Sequence, residues 1–123
     1  MNEILRTAHF EMITDERARK VYDLLCAACE QREGGLTDAD QLLVNDYAYA
    51  EQLKQLHRAD IAKRGIGKDY SNGRQTYYKE NPNIRQVRDH VKLQTAILAE
   101  LKLTAKARKA EAVALDDDFD QFD

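Results

Sequence analysis

Apolar residues recur at helical spacing through most of the chain, and the first long segment with this pattern ends at Arg32. Thr14 is its candidate N-cap, because a threonine hydroxyl can accept a hydrogen bond from a free amide of the first turn. Gly34-Gly35 predicts the end of the helix, since glycine readily adopts the left-handed conformation found there. The stripe expected to be buried comprises Val21, Tyr22, Leu24, Leu25, Ala28 and Cys29. Residues 1–13 lack a clear period and predict either a short helix or an arm.

A second helical segment begins at Thr37, which opens the capping-box sequence Thr-Asp-Ala-Asp, and runs to Arg64 before Gly65. A helix of this length would span about 42 Å. One partner helix cannot cover all of its apolar positions. We therefore expect a helical hairpin with the first helix, and further packing against a later helix or another subunit.

Between these helices and the end of the chain, residues 66–80 have the composition of a β-hairpin. Asn72-Gly73 is a preferred dipeptide for a two-residue type I′ turn, and tyrosine and threonine flank it. Pro82 ends the second strand, and Asn81 or Asn83 is the candidate N-cap of a long helix. The apolar seam of that helix comprises Ile84, Val87, Val91, Ile97, Leu98 and Leu101.

The predicted fold is therefore mainly α, a helical hairpin plus a long C-terminal helix with a small β-hairpin insertion. At 123 residues the chain fits one domain, with a core over residues 14–109 and an acidic, disordered tail over residues 110–123. A mean hydropathy of −0.69 marks a polar chain, and no apolar run approaches the length needed to cross a bilayer. No secretion signal is expected from the first residues, and two cysteines fit a reducing compartment.

Charge is divided unevenly along the sequence. Residues 1–53 hold 5 Lys or Arg against 11 Asp or Glu, residues 54–109 hold 14 against 5, and residues 110–123 hold none against 6. A basic block between two acidic ones favours a surface for a polyanion, whereas the alternative is a set of solvated helix faces that balance in three dimensions.

The basic block predicts contacts with the phosphates of double-stranded DNA. Its candidate residues bracket the hairpin and enter the helix that follows. They are Arg58, Lys63, Arg64, Lys68, Arg74, Lys79, Arg85, Arg88 and Lys92. Tyr70, Tyr77 and Tyr78 are interpreted first as strand-packing residues and second as groups that stack on bases.

Other candidate chemistry is weak. Cys26 and Cys29 form one C-A-A-C within a helix, which fits small core residues better than a metal or redox site. The three histidines are scattered, and Gly65-Ile66-Gly67-Lys68 lacks the spacing of a phosphate-binding loop. No catalytic residue, metal or cofactor is predicted.

The order of these features resembles the small terminase subunits of tailed phages. The resemblance covers roughly residues 37–123 and includes the hairpin, Asn81-Pro82, a helix with Ile84, Leu98 and Leu101, then Leu103-Thr104, Arg108 and an acidic tail with phenylalanine. It implies a non-catalytic DNA-packaging component in the cytoplasm of the infected bacterial host. It also implies a homo-oligomeric ring that binds viral DNA and serves a large subunit bearing the ATPase and nuclease.

The long helices supply the candidate interface between subunits, because exposed apolar patches commonly mark interfaces. Its residues are Leu53, Leu56, Ile61, Val87, Val91, Leu98 and Leu101. The tail is the candidate site for a protein partner, the large subunit, through Asp116, Asp117, Asp118, Phe119 and Phe122. The alternative is a solubilising tail that keeps the basic surface from non-specific binding. Two alternatives remain open at this stage: a small helix-turn-helix regulator with its turn at Gly34-Gly35, and a virion structural adaptor without DNA binding.

Overall fold

In the computed structural model, residues 1–104 are described and form four α-helices and one two-stranded antiparallel sheet. The elements are α1 (Glu3–Met12), α2 (Glu16–Gln31), α3 (Asp38–Arg64), β1 (Gly67–Asn72), β2 (Gln75–Glu80) and α4 (Pro82–Glu100). This order confirms the mainly helical architecture with a β-hairpin insertion. The predicted acidic tail, residues 110–123, lies outside the described residues.

α3 is the central element, with α2 packed against its first half and α4 running antiparallel along it. Its start confirms the capping box: the Thr37 side chain accepts from the Asp40 amide, and the Asp40 carboxylate accepts from the Thr37 amide, each at 3.1 Å. Gly65, with φ of 86°, ends the helix as predicted. α4 begins with Asn81 as N-cap and Pro82 in the first turn, where proline loses no helical hydrogen bond.

The start of α2 differs from the prediction by one residue. Asp15, not Thr14, is the N-cap, because its carboxylate accepts a hydrogen bond from the Ala18 amide at 2.9 Å. The Thr14 amide instead donates to the side chain of Gln52 on α3 at 2.8 Å. The same Gln52 oxygen accepts from the Asp15 amide at 2.9 Å, so α3 holds the segment that precedes α2.

The apolar core lies at one end of the bundle, between α2, the first half of α3 and the last turn of α4. Its buried members are Ile13, Ala18, Tyr22, Cys26, Cys29, Val44, Ala48, Ile97 and Leu101. The prediction that both cysteines are core residues is confirmed. Burial raises the pKa of the Cys26 thiol to about 12 and also raises that of Cys29, so both remain protonated.

Two predicted stripes are wrong in part. Leu24 is 69% exposed, because two residues along a helix correspond to a rotation of about 200° and Tyr22 faces the core. On α4, Val91 is exposed, and the polar residue Gln94 takes the inward position.

α1 is held to the bundle by a buried chain of hydrogen bonds. The Gln41 amide on α3 donates to the Tyr22 hydroxyl at 2.8 Å, which leaves that hydroxyl to donate to Nδ1 of His9 at the same distance. Burial lowers the pKa of His9, so the neutral ring is the favoured form. The Asn2 amide and carbonyl pair with the same Gln41 side chain. The N-terminal residues therefore form a docked helix rather than an extended arm.

The middle of the α3–α4 contact is polar. Lys54 Nζ lies 2.7 Å from a carboxylate oxygen of Glu51 and 2.7 Å from the Gln94 side-chain oxygen, while the Gln94 amide donates to Glu51 at 2.9 Å. All three side chains are buried. Burial alone would raise the pKa of Glu51, but hydrogen bonds from Lys54, Gln94 and Gln55 outweigh it and lower the pKa to about 2. We call Glu51, Lys54 and Gln94 the buried triad.

The turn of the β-hairpin lies one residue later than predicted. Its two central residues are Gly73 and Arg74, between the paired Asn72 and Gln75. Gly73 has φ of 62°, whereas Arg74 has a negative φ, as expected of a type II′ rather than a type I′ turn. Pairing along both strands fixes the register, and the register selects the turn.

We predict that Lys54→Ala lowers the free energy of unfolding by about 3 kcal/mol, because the buried Glu51 carboxylate loses its hydrogen-bonded cation and keeps only the exposed Arg17, 3.6 Å away. Urea unfolding measures the change. Glu51→Met combined with Lys54→Met removes both charges and should recover most of the loss.

Lys20→Ala provides the control, since Lys20 pairs with Glu16 at an exposed site and its removal should cost no more than about 1 kcal/mol. Equal stability of Lys54→Ala and Lys20→Ala would contradict a structural role for the buried triad.

Candidate nucleic-acid interface

The β-hairpin leaves the bundle where α3 ends and α4 begins, and side-chain hydrogen bonds fix its base. The Asn81 amide donates to the Gly65 carbonyl at 3.0 Å, and the Asn81 backbone amide donates to the Ile66 carbonyl at 2.8 Å. Asn83 donates to the Asp60 carboxylate at 2.6 Å. These contacts join both ends of the hairpin to the last turns of α3. We call Asp60, Asn81 and Asn83 the hairpin anchor.

The anchor is tied to the helix pair behind it. Nδ1 of His57 lies 2.6 Å from the Asn83 side-chain oxygen, and the His57 ring stacks on His90 with centroids 5.3 Å apart. Burial would raise the pKa of Asp60, but hydrogen bonds from Asn81 and Asn83 and the charge of Arg64 lower it. Asp60 therefore remains ionised and keeps accepting these bonds.

Beyond its base, the hairpin projects into solvent. Of its strand residues only Gly67 is partly buried, and all the others are exposed. Six-residue strands reach about 20 Å. A two-stranded sheet without a covering layer is marginally stable in water, so such an element is typical of a surface that is completed by a partner.

Strand pairing groups basic and aromatic side chains on the hairpin. Lys68 lies directly opposite Lys79, and Tyr70 lies opposite Tyr77. The two tyrosine rings stack with centroids 5.8 Å apart, and Lys68 Nζ lies 5.4 Å from the centre of the Tyr70 ring. The tyrosines thus pack within the hairpin, as first interpreted, while Tyr77 remains 52% exposed.

A cleft of about 520 Å³ lies between this side of the hairpin and the adjoining helix ends. Arg64, Lys68 and Lys79 line it, together with Asn81 and Pro82 at the N-terminus of α4. Three cations and a helix N-terminus make the cleft favourable for an anion such as a phosphate group. Glu80 also lines the cleft, but it faces Arg88 at 3.8 Å.

A family model for phage terminase, small subunit, matches residues 18–118 of this sequence. The chain belongs to that family. No curated protein and no solved structure matches it. The match begins within α2 and includes α3, the hairpin and α4, whereas α1 precedes it. Membership in this family supports a role in phage DNA packaging.

In this terminase small subunit, all nine basic residues predicted to contact DNA are exposed. Residues 58–92 contain these nine cations and only four carboxylates. Arg64 pairs with Asp60 at 2.7 Å and Arg88 with Glu80 at 3.8 Å, and the other seven form no ion pair with a described residue. Arg74 lies at the hairpin turn, and α4 carries Arg85, Arg88 and Lys92 at helical spacing.

The predicted subunit-interface residues are exposed to different degrees. Leu56 is 62% exposed and Val91 is 41% exposed, whereas Leu101 is fully enclosed in the core of its own chain. The remaining four are partly buried, namely Leu53, Ile61, Val87 and Leu98. The predicted partner-binding residues of the tail lie outside the described residues. None of the helices within residues 1–104 is long and apolar enough to cross a membrane.

Sequence reasoning missed the hairpin anchor as a functional element. The sequence pattern identifies Asn81 and Asn83 only as candidate N-caps and assigns no role to Asp60. The available signal was the pair of asparagines around Pro82, since an asparagine can cap a helix and still donate through its amide.

We predict that Asn83→Ala loosens the hairpin relative to the helices, because Asp60 and His57 both lose a hydrogen-bond partner. Backbone amides of β1 and β2 should then exchange with solvent several-fold faster in hydrogen–deuterium exchange. Gln86→Ala, at an exposed site on the same helix, should leave those rates unchanged. Unchanged hairpin exchange in Asn83→Ala would contradict the role of the anchor.

Proposed function

We propose that this protein is a non-catalytic component of the phage genome-packaging motor that binds double-stranded viral DNA as an oligomeric ring and recruits the large terminase subunit. The observation that carries the DNA-binding part is the set of exposed, mostly unpaired cations around the hairpin. Membership in the terminase small subunit family supports the packaging role. Small terminase subunits are generally non-catalytic.

Phosphate contacts are the form of binding that this surface favours. Lysine and arginine side chains that neutralise phosphates release condensed counterions, which makes affinity fall steeply with salt. Such contacts hold a protein on a duplex without reading its sequence. In a ring, the same basic surface is repeated around the assembly, so a modest affinity per subunit would suffice.

We predict that affinity for a duplex falls by a factor of about ten or more as salt rises from low to physiological concentration. Arg85→Glu combined with Arg88→Glu should weaken binding further and reduce the salt slope, as measured by fluorescence anisotropy. Lys20→Glu, on the exposed surface of α2, is the control for a charge reversal and should bind like the parent. Salt-independent binding, or parental binding by the double variant, would contradict the proposal.

The oligomeric part of the proposal rests on apolar side chains that the single chain leaves open. Leu56 on α3 and Val91 on α4 are exposed, and Leu93, on another side of α4 from Val91, is 47% exposed. A groove of about 170 Å³ nearby is lined by Tyr49, Leu53, Leu93 and three other residues of these helices. Burial of this surface against a second copy would be favourable, at about 25 cal/mol for each Å² removed from water.

We predict that light scattering gives a mass several times the 14.1 kDa of one chain. Leu56→Glu should shift the protein towards the monomer, because a carboxylate would then be buried at the contact. Leu24→Glu is the matched control, since Leu24 is comparably exposed but lies on α2. A parental monomer at micromolar concentration would contradict ring assembly.

We assign recruitment of the large subunit to the acidic tail, in which aspartates flank Phe119 and Phe122 along the sequence and the two phenylalanines serve as apolar anchors. Deletion of residues 116–123 should abolish capture of the large subunit in a pull-down and leave duplex binding intact. Undiminished capture by the shortened chain would remove the tail from the proposal.

A further inference from the structure

The two faces of the β-hairpin differ in chemistry. Because side chains alternate along a strand, the pairing places one set on each face. The first face, which we call the ribbon face, carries Lys68, Tyr70, Asn72, Gln75, Tyr77 and Lys79. The opposite face carries Gly67, Asp69, Ser71, Thr76, Tyr78 and Glu80. Contacts agree with this division, since Tyr70 stacks on Tyr77 and a side chain at Gly67 would collide with Tyr78.

Charge separates across the hairpin in the same way. The ribbon face has two lysines and no carboxylate, whereas the opposite face has two carboxylates and no cation. Lysines placed directly opposite each other in an antiparallel pair repel. Lys68 and Lys79 therefore disfavour the free hairpin and favour a state in which an anion lies between or beside them.

The tip of the ribbon face carries two amides. Asn72 and Gln75 are the last pair before the turn, and neither side chain makes a hydrogen bond within residues 1–104. The side-chain amide of asparagine or glutamine can form two hydrogen bonds with one adenine. Its NH₂ group donates to adenine N7, and its oxygen accepts from the adenine N6 amino group. That edge is displayed only in the major groove.

The hairpin has the size and shape to enter the major groove. The major groove of B-DNA is about 12 Å wide and about 8.5 Å deep, and it admits a two-stranded β-ribbon. The hairpin is such a ribbon, and it projects from the bundle with its strand residues exposed beyond Gly67. At its base, the cleft lined by Arg64, Lys68 and Lys79 offers a place for a backbone phosphate.

We infer that the β-hairpin is a major-groove reading element, in which Asn72 and Gln75 contact base edges while Lys68, Lys79 and Arg64 hold the flanking phosphates. This inference rests on the proposed function, because it requires that the protein binds duplex DNA. It adds sequence discrimination to a surface that would otherwise bind all duplexes alike.

The test begins with duplexes enriched by the full chain from a random-sequence library. Dimethyl sulfate methylates guanine N7 in the major groove and adenine N3 in the minor groove, so one reagent reports on both. The reagent does not methylate adenine N7, so we expect interference at guanine N7 in the neighbouring base pairs of the enriched sequence, where a methyl group would obstruct a ribbon in the major groove. Interference confined to adenine N3 would overturn the inference.

Variants then distinguish base recognition from phosphate binding. Asn72→Ala with Gln75→Ala should reduce the affinity ratio between enriched and scrambled duplexes by about tenfold while binding the scrambled duplex within about twofold of the parent. Gln75→Ala alone should reduce the ratio in part, and it leaves the turn residues untouched. Ser71→Ala with Thr76→Ala, on the opposite face, is the matched control and should keep the parental ratio.

The outcomes distinguish base recognition by the hairpin from duplex binding in general. Binding without any sequence preference, or a parental ratio in the Asn72 and Gln75 variants, would overturn the reading role and leave phosphate binding standing. Failure to bind any duplex at low salt would overturn the proposed function and this inference with it.

Discussion

The hydrogen-bonded ion pair between Glu51 and Lys54, completed by Gln94, determines how α4 lies along α3. Apolar helix faces tolerate small sliding movements, whereas a carboxylate, an ammonium and an amide within 3 Å of one another accept one arrangement. Burial makes a broken contact costly, because Lys54 would lose its carboxylate and Glu51 would keep only the exposed Arg17, 3.6 Å away. The hairpin anchor lies further along the same helix pair, and its geometry depends on that alignment.

The two ends of the bundle differ in the contacts that hold them. Enclosed apolar residues from α2, α3 and α4 form the core at one end, and the α1 contacts with Tyr22 and Gln41 close it. Towards the other end, the contacts between α3 and α4 become polar, through His57, Asn83 and Asp60. The apolar core that stabilises the fold thus lies away from the hairpin. The hairpin end can therefore carry several unpaired cations without weakening that core.

Local signals in the sequence predicted the helix ends well, because capping depends on neighbouring residues. The capping box at Thr37, the stop at Gly65 and the start at Asn81-Pro82 all appear in the structure. Burial was predicted less well, since Gln94 and Lys54 are buried only because each satisfies the other across two helices. Apolar periodicity cannot detect such a pair and instead places Val91 on the inward face.

For the candidate site too, the sequence predicted the residue types but not the contacts between distant residues. Counting charges identified the basic residues, and the structure exposes all nine of them. The opposition of Lys68 to Lys79 required the strand register, because a turn centred on Asn72-Gly73 would have placed Tyr77 opposite Lys68. The role of Asp60 required a contact between residues that are more than twenty positions apart.

We propose that the hairpin end of the molecule faces DNA. Chemical acetylation of lysines, quantified by mass spectrometry with and without duplex DNA, tests it residue by residue. We expect DNA to protect Lys63, Lys68, Lys79 and Lys92, while Lys20 on α2 reacts equally in both conditions. Equal reactivity of all five lysines, or protection greatest at Lys20, would contradict it.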